Sequence, residues 1–368
     1  MKKYLFMAVA ALATLTACQP GDEPQTIVET REISFAPIAN ETRAIVVDET
    51  TTANLGEFAV WGYVKANDNF NSAVFSNTLV KKTATNKSDF SSTAQVDVWQ
   101  PEGGDIKYWS PGGEYWFSAL YPQFAEEGPS YSFSTIGTAH TQTISNFSIV
   151  DNGVETKDVV VARPVKATVD ANSQSRVAVG LTFDHMLSRV RFSFENTFED
   201  DNVTIKISNV QLNNLIATAD ANIVTTTQRN DTLVANWTPK DKDLVVNFQD
   251  ENEVSSPVAQ NAKFTTEYRL FIPDKNEVGK GDYTLTFTLD VYADNVLVLT
   301  KTYTVNNPAE HCEAVGLKQF KYENGRSYLF NAKINGNLLK EEIYPIQFDV
   351  KVTPWATDYT VDDDIFAE

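Results

Sequence analysis

A run of alternating apolar and polar residues between positions 283 and 291 constrains the fold of this chain more than any other feature. The apolar members are Tyr283, Leu285, Phe287, Leu289 and Val291, and the polar ones between them are Thr284, Thr286, Thr288 and Asp290. A period of two sends successive side chains to opposite faces, so the pattern predicts a half-buried β-strand. Asp294-Asn295 predicts a turn, and residues 296–303 predict the strand that returns beside it.

The same alternation recurs along the chain. It appears at residues 189–194, 203–212 and 346–353, and in the second of these the apolar parity slips at Ser208-Asn209, which predicts a β-bulge. Further strands are predicted at residues 33–38, 58–64, 94–98, 115–120, 143–150, 158–162, 178–183, 264–272 and 327–334. No stretch after residue 17 has a helical period over roughly 11 or more residues, and short helical turns are expected only near Met186 and at residues 308–315.

These strands predict an all-β protein with two β-sandwich domains in tandem. Many short strands separated by turn residues favour sandwiches, and a length of 368 residues suggests two domains. The softest boundary is the polar stretch at residues 168–176. We therefore expect an N-terminal domain at residues 31–172 and a C-terminal domain at residues 173–368, with no short-period internal repeat.

The charge of the chain excludes several classes of partner. Its 30 basic and 49 acidic residues give a net charge of −19, and an acidic chain repels nucleic-acid phosphates, so no nucleic-acid partner is expected. There are three histidines and two cysteines, Cys18 and Cys312. Zinc sites built from clustered His and Cys are therefore close to excluded, and no metal or cofactor is expected.

The first residues predict an export signal. Lys2 and Lys3 precede a short apolar run at residues 4–15, which has the layout of a secretory signal. The run ends in Leu15-Thr16-Ala17-Cys18, which resembles a bacterial lipobox; the alternative is an ordinary secretory signal with a chance cysteine. The expected layout is a lipoprotein signal peptide at residues 1–17, lipid attachment at Cys18, and a flexible tether at residues 18–30. Cys312 then has no disulfide partner.

Enzyme signatures are weak throughout the sequence. There is no G-x-S-x-G and no P-loop, and 49 carboxylates guarantee chance acidic pairs, so no Asp/Glu couple is nominated. Asp184, His185 and Ser188 have the residue types of a catalytic triad, but adjacent residues of a strand point to opposite faces. We expect no catalytic residues and no enzymatic activity.

The tryptophans allow two interpretations. They could be exposed platforms that stack on sugars, or they could pack in cores and between domains, which is the favoured interpretation. The six are Trp61, Trp99, Trp109, Trp116, Trp237 and Trp355.

Several segments form a recognisable series along the chain. After the lipobox come residues 33–39 and the loop 40–45, then 58–63, 109–122, 181–190, 322–328 and 352–355. Within these, the most recognisable letters are WSPGGEYWF, LTFDHMLSRV, YENGRSY and VTPW. In this order, the segments resemble the fimbrillin family, the lipoprotein pilins and pilus-associated proteins of Bacteroidetes type V pili. The resemblance covers nearly the whole chain and implies two transthyretin-like or Ig-like β-sandwiches in tandem.

The resemblance also implies an assembly mechanism. In the pilins of this family, an Arg-specific protease cuts after an arginine in the loop that follows the first strand. The corresponding residue here is Arg43, with Ala44 as the new N-terminus. The strand at residues 33–38 is then lost, and a strand from another subunit fills the vacated groove, which is β-augmentation. Arg31 is a competing cut site, but cutting there would leave the strand in place.

The implied location is the outer membrane and cell surface before processing and the fimbrium after it. The implied partners are other pilus subunits, the outer membrane through the lipid on Cys18, and the protease. Stalk, tip and anchor roles all stay open, as does whether residues 346–352 belong to a donor strand. The alternative function is a monomeric surface lipoprotein that binds a host glycan or protein.

Overall fold

The computed structural model describes residues 33–37, 55–66, 69–83, 98–104, 106–136, 139–149, 156–168, 178–226, 232–250, 253–274, 283–306, 322–336 and 348–354. Among these residues there is no α-helix, and a short 3₁₀ turn lies at Glu102–Gly104. The prediction of an all-β sandwich fold is therefore confirmed. The expected signal peptide and tether lie outside the described residues.

The described residues form 22 strands. They are β1 (Phe35–Pro37), β2 (Glu57–Ala66), β3 (Asn69–Thr83), β4 (Val98–Pro101), β5 (Glu114–Tyr121), β6 (Ser130–Ile136), β7 (Ala139–Ser148), β8 (Val160–Ala162), β9 (Val165–Thr168), β10 (Val179–Leu181), β11 (Phe183–His185), β12 (Ser188–Asn196), β13 (Val203–Leu215), β14 (Thr218–Thr226), β15 (Thr232–Asp241), β16 (Leu244–Asn247), β17 (Lys263–Thr265), β18 (Arg269–Phe271), β19 (Thr284–Ala293), β20 (Val296–Asn306), β21 (Arg326–Ile334) and β22 (Phe348–Pro354).

The largest sheet closes on itself. Its strand order is β10-β1-β4-β3-β2-β5-β8-β11, with β9 also paired to β5. The two ends of this order, β10 and β11, are separated in the chain by Thr182 alone, so the first and last strands of the path meet. Thr182 accepts a backbone hydrogen bond from Arg163. The inner face of the curled sheet encloses an aromatic core in which β1 is one of the walls.

A second sheet, β15-β14-β7-β6, covers the other face of β2 and β5. Between these layers lie Trp61, Leu120, Ile144 and Ile223, all buried. Strands β14 and β15 come after residue 173, yet β14 pairs with β7, which ends before residue 172, and β15 pairs with β14. Strands from both sides of the predicted domain boundary therefore share one sheet, and the division at 172/173 stays a prediction.

One buried polar network links the two layers. The hydroxyls of Ser118 and Tyr131 are 2.7 Å apart, and the amide nitrogen of Gln142 lies 2.9 Å from each of them. The same amide donates to the carbonyl of Ala162 over 3.0 Å. Burial raises the pKa of Tyr131. These hydrogen bonds offset the free-energy cost of burying three polar side chains in an apolar layer.

The second sandwich packs two more sheets face to face. One has the order β17-β12-β21-β22, with β18 also on β12, and the other has the order β16-β13-β19-β20. Between them lie alternate residues of β12 and β19, the positions predicted from alternation. Asp294 and Asn295 both have positive φ, +50° and +63°, as a two-residue hairpin turn requires. The predicted hairpin is confirmed.

The predicted β-bulge is also confirmed. The register between β13 and β19 shifts between Ser208 and Gln211, and Asn209 has a φ of +53°. The extra residue restores Val210 and Leu212 to the core face, since both are 1% exposed. The bulge therefore explains how a strand whose apolar parity changes can bury both halves.

The same turn occurs once in each sandwich, ahead of β5 and ahead of β21. In the first copy, the backbone N–H of Ser110 donates to the Tyr115 hydroxyl over 2.7 Å. The Trp109 ring meets the Tyr115 ring edge-on at 4.8 Å, and Gly112 has a φ of +73°. The tyrosine thus closes the turn from the strand that follows it.

The second copy repeats these contacts at the same spacing. The backbone N–H of Glu323 donates to the Tyr328 hydroxyl over 2.8 Å, and the Tyr322 ring meets the Tyr328 ring edge-on at 4.9 Å. Gly325 has a φ of +68° and corresponds to Gly112. Both turns lie in segments that carried the family resemblance, although the sequence analysis did not relate them to each other.

Several strand predictions need correction. The strand predicted at residues 264–272 is two strands, β17 and β18, because Thr266 leaves the ladder: its N–H donates to the Phe192 carbonyl and its hydroxyl accepts from the Phe192 N–H. The helical turn expected near Met186 is wrong, since Met186 and Leu187 form a bend. Strands β3, β6, β9, β14, β15 and β16 were not predicted. The turn expected at residues 308–315 lies outside the described residues.

Candidate strand-exchange site

Strand β1 forms one wall of the first core. It is the described strand nearest in the sequence to the predicted cut site. Ile33, just before the strand, and Phe35 within it are each 1% exposed. They alternate with Ser34, which is half-buried, so the segment presents one apolar face to the core. Within the range predicted at residues 33–38, the structure has a strand only at Phe35–Pro37, and residue 38 lies outside the described residues.

Phe35 inserts its ring into an aromatic cluster. The ring centroids of Phe58, Phe75 and Phe117 lie 6.1, 5.6 and 5.8 Å from that of Phe35, and all three pairs have steep interplanar angles, 66° to 89°. Edge-to-face pairs of this kind each contribute about 0.5–1.5 kcal/mol beyond the area that they bury. Phe35 is therefore the side chain that fixes β1 in the core.

The backbone of the β1 segment is paired on both sides. It runs parallel to β10, with Phe35, Ala36 and Pro37 opposite Val179, Gly180 and Leu181. It is antiparallel to β4, where one register pair joins Phe35 and Trp99. The N–H of Val179 donates to the carbonyl of Ser34, and the N–H of Ile33 donates to the carbonyl of Lys107, both over 2.8 Å.

Loss of β1 would open the closed sheet at one place. The strands on either side, β4 and β10, would lose their shared neighbour and expose backbone edges. The apolar groove between them would be lined by the side chains that now meet Ile33 and Phe35 or share their core, which include Phe58, Phe75, Trp99, Phe117, Val179 and Leu181. Such a groove would have unpaired backbone groups and exposed apolar surface. An inserted strand would form hydrogen bonds with the first and cover the second.

The predicted processing residues flank this strand in the sequence. Cys18, Arg43 and Ala44 lie outside the described residues. Arg43 follows Pro37 by six residues, and Cys18 precedes Ile33 by fifteen. A cut after Arg43 would therefore leave β1 covalently joined to the segment that carries Cys18 and disconnected from the rest of the chain. A cut after Arg31 would leave β1 attached to the rest of the chain.

The residue types that resemble a catalytic triad are separated by the fold. Asp184 accepts two hydrogen bonds from Arg163, over 2.7 and 3.0 Å, and one from the Leu233 N–H over 3.0 Å. The hydroxyl of Ser188 donates to the Glu323 carbonyl over 2.6 Å. These side chains serve structural contacts in different directions.

His185 joins the two sandwiches instead. Its Nδ1 lies 2.6 Å from a carboxylate oxygen of Asp158, and both side chains are buried. The amide nitrogen of Asn324 donates to the carbonyls of His185 and Leu233, over 2.9 and 3.1 Å. The N–H of Gly325 donates to the Leu187 carbonyl over 2.8 Å. The second copy of the repeated turn is thus anchored to the end of the first sheet.

The tryptophans are mainly packing residues. Trp61, Trp99, Trp109 and Trp237 are between 3% and 8% exposed. Trp116 is half-buried, with its ring centroid 3.9 Å from that of His140. Trp355 lies outside the described residues. The interpretation as packing residues therefore holds for four of them.

Two further searches cover the described part of the chain. Within it, no group of three or more His, Cys, Asp or Glu side chains is arranged to hold a metal ion. Within the same residues, no helix is long and apolar enough to cross a membrane.

Sequence reasoning identified β1 but missed part of the groove that receives it. Phe75 and Val80 come from β3, whose burial pattern is interrupted at Asn77, a residue with a φ of +51°. That irregularity conceals the alternation on which strand prediction depends. An asparagine between two short apolar runs is the one local signal that could have indicated a bent strand.

The described residues form a closed β-sheet in which β1 is a buried wall, followed by a second sandwich. The family model for fimbrillin-like proteins matches residues 42–355, most of the chain. The chain belongs to the fimbrillin-like family, as its motifs predicted. No curated protein sequence matches it significantly.

Solved structures are similar to this chain at low sequence identity, and the first of those named here shares its fold. A fimbrial protein from Bacteroides vulgatus is 16% identical, with 88% of this chain and 99% of that chain covered and a TM-score of 0.51. A "putative cell adhesion protein" from Bacteroides uniformis is 13% identical, with 90% and 100% covered and a TM-score of 0.46. The fimbrial anchor protein Mfa2 from Porphyromonas gingivalis is 10% identical, with 89% and 98% covered and a TM-score of 0.32.

Proposed function

We propose that this protein is a subunit or accessory component of a fimbrillin-type pilus that supports cell adhesion. It is exported as a lipoprotein through Cys18, reaches the outer membrane and cell surface, and is cut after Arg43 by an Arg-specific protease. The segment containing β1 then leaves, and a β-strand of another pilus subunit takes its place. The observation that carries the proposal is the position of β1, buried in the core yet joined to the rest of the chain only through the segment that contains Arg43.

The energetics favour exchange for a longer strand. Ile33 and Phe35 bury two large side chains, which contribute roughly 3–6 kcal/mol. A donor strand with five alternating buried side chains would contribute roughly 8–15 kcal/mol gross, before the entropy of ordering it. While the chain is intact, β1 is held at high effective concentration by its covalent link. The cut removes that advantage, and the longer donor strand then replaces β1 in the groove.

The extent of the family match supports the same division of the chain. The match begins at residue 42, after β1 and next to Arg43, and continues through both sandwiches. The part of the chain that defines the family is thus nearly the part that would remain after cleavage. Lipidation serves delivery in this scheme, and the mature pilus subunit starts at Ala44.

A digestion experiment tests the proposal. A soluble form starting after Cys18 is treated with limiting Arg-specific protease, the new N-terminus is read by mass spectrometry, and size is followed by light scattering. We expect a product that starts at Ala44 and grows into detergent-resistant oligomers. Arg43→Ala should stay uncut at this loop and monomeric, whereas Arg31→Ala, the matched control, should behave as the unaltered chain.

Two outcomes would count against the proposal. If Arg43 stays intact while other arginines are cut, processing at this loop is wrong. If Ala44 becomes the N-terminus but the product stays monomeric with β1 still bound, strand exchange is wrong, and the alternative function as a monomeric surface lipoprotein for a host glycan or protein gains support.

A further inference from the structure

Strand β20 is a long edge of the second sandwich. Among the described residues it is the last strand in the order β16-β13-β19-β20, and it runs for 11 residues, Val296–Asn306. Its side chains are exposed except at Leu299, Tyr303 and Val305, so most of its length faces solvent. An edge strand of this kind presents a row of unpaired backbone N–H and C=O groups, on which a further strand can add.

The end of β20 next to the hairpin turn is apolar as well as open. Val296, Leu297 and Val298 follow one another in the sequence and are 64%, 50% and 56% exposed. Exposed apolar residues on a strand edge favour the addition of another strand. Every copy of the protein carries this edge, and two antiparallel copies of one strand match each other across a two-fold axis. The competing partner of β20 is therefore the β20 of a second copy.

A bulge interrupts the edge at its apolar end. In the register between β19 and β20, Leu299 and Leu297 lie opposite consecutive residues of β19, so Val298 is the extra residue. A bulge increases the local twist and breaks the regular spacing of the N–H and C=O groups that an added strand would use. The most apolar part of β20 is thus poorly shaped for pairing.

Lys301 interrupts the core-facing side of the same strand. It lies opposite Leu289, which is fully buried, and the residues two positions away on that side, Leu299 and Tyr303, pack against the core. Lys301 itself is exposed, and its Nζ lies 5.0 Å from the centroid of the Tyr303 ring. A charged residue at a core-facing position of an edge strand stays hydrated only while no other strand lies beside it.

We propose that Lys301, together with the bulge at Val298, blocks the pairing of β20 with the β20 of a second copy. Lys301 is the one charged residue of the strand, so no register of two paired β20 strands sets a carboxylate of β20 opposite it. A pair centred on Lys301 would set two like charges opposite each other. Any other register would remove both ammonium groups from water without an opposite charge.

The block concerns a different surface from the β1 groove and goes beyond the proposed function. Pairing at β20 would join two copies through an isologous contact that closes as a dimer. With that contact excluded, this edge does not compete with any other site at which copies of the protein associate. The block is measured on uncut protein, in which β1 still fills its groove, so its failure and the failure of strand exchange are distinguishable.

The test is the self-association of the uncut soluble form that starts after Cys18. Lys301→Val replaces the charge with a strand-forming side chain, and we expect the dimer association constant in analytical ultracentrifugation to rise at least about tenfold. Lys206→Val is the matched control. The Nζ of Lys206 also lies 5.0 Å from a tyrosine ring centroid, that of Tyr292, but Lys206 is on β13, inside the sheet between β16 and β19.

The control variants separate the position of the charge from its loss. Lys206→Val and Lys301→Val remove the same charge from the chain, so general repulsion between copies changes equally in both. Lys206→Val should associate no more than the unaltered chain. Lys301→Arg keeps the charge at the edge and should also behave as the unaltered chain.

Hydrogen exchange locates the contact. In Lys301→Val, the backbone amides of residues 296–306 should exchange at least about fivefold more slowly at high than at low protein concentration, and those of β15, which ends another sheet, should not. Lys301→Thr, which matches the neighbouring Thr300 and Thr302, replaces the valine variant if that variant does not fold. Unchanged association of the folded neutral variants, or association without slower exchange at β20, would overturn the proposal.

Discussion

Tyr115 and Tyr328 hold equivalent positions in the two sandwiches. Each hydroxyl accepts the backbone N–H of the residue five positions earlier, at 2.7 and 2.8 Å, and each ring receives the edge of the aromatic residue six positions earlier. Each is fully buried at the start of a strand that crosses its core. The two sandwiches are thus built on the same closing turn, although their strand orders differ.

Removal of either tyrosine hydroxyl should weaken the protein without changing its core. Tyr115→Phe and Tyr328→Phe each leave a backbone N–H without its partner, so we expect a loss of about 1–2 kcal/mol in the free energy of unfolding. Tyr108→Phe is the control, because Tyr108 is 48% exposed. Denaturant unfolding measures all three. Equal stability of Tyr328→Phe and Tyr108→Phe would contradict the assigned role.

The glycines of the two turns should also be equivalent. Gly112 and Gly325 have φ of +73° and +68°, where an L-residue costs about 1–2 kcal/mol. No atom lies within 4 Å of a Cβ built on Gly112 or on Gly56, and Gly56 has an ordinary φ. Gly112→Ala and Gly325→Ala should therefore lower the melting temperature, whereas Gly56→Ala should not. A similar shift for all three would mean that conformation is not the cause.

Strand prediction succeeded at several strands that have one side on a core, although β6, which alternates fully between exposed and buried residues, was missed. Strand β19 alternates between half-buried and buried residues from Thr284 to Tyr292, so its sequence alone indicates the hairpin and the turn at Asp294-Asn295. The closure of the first sheet could not be predicted. It depends on β10 and β11, which are neighbours in the sequence, being the first and last strands of the sheet. The edge contacts of Phe35 could not be predicted either, since they involve residues far apart in the chain.

The candidate site was predicted in part. The family resemblance identified the first strand and Arg43, and the structure places that strand as a buried wall. The sequence does not reveal the partners of β1, since its parallel neighbour β10 comes more than a hundred residues later and no local pattern specifies such pairing. The contact of Arg189 and Arg191 with the Tyr268 ring was missed for the same reason. Tyr268 lies between β17 and β18, far from both arginines in the sequence.

Phe35 should contribute to the stability of the intact chain and not to that of the product that starts at Ala44. Phe35→Ala should destabilise the uncut protein by about 3–5 kcal/mol, because it removes a ring that touches three others. After cleavage and loss of β1, the product should be identical to that of the unaltered chain. Thermal unfolding before and after digestion measures both. A destabilisation that persists in the product starting at Ala44 would contradict the release of β1.

His140 should make the first sandwich sensitive to acid. Its ring lies against Trp116, and burial lowers its pKa below the ordinary value. The folded state therefore binds a proton less readily than the unfolded state, whose histidine titrates near about 6.5. Stability should be unaffected well above that pH and should fall as the pH drops through it toward the folded pKa. The slope of melting temperature between pH 7.5 and 5.5 should be smaller in His140→Phe, and an identical slope would refute the assignment.

The most direct test of the account uses a synthetic peptide of residues 31–43. It is added to protein that has been cut after Arg43 and freed of its N-terminal fragment, and binding and oligomer size are measured together. The account predicts that the peptide binds one to one and prevents oligomer growth, and that a peptide with Phe35→Ala does neither. If cut protein still assembles fully with the groove saturated by the unaltered peptide, the groove vacated by β1 is not where subunits join.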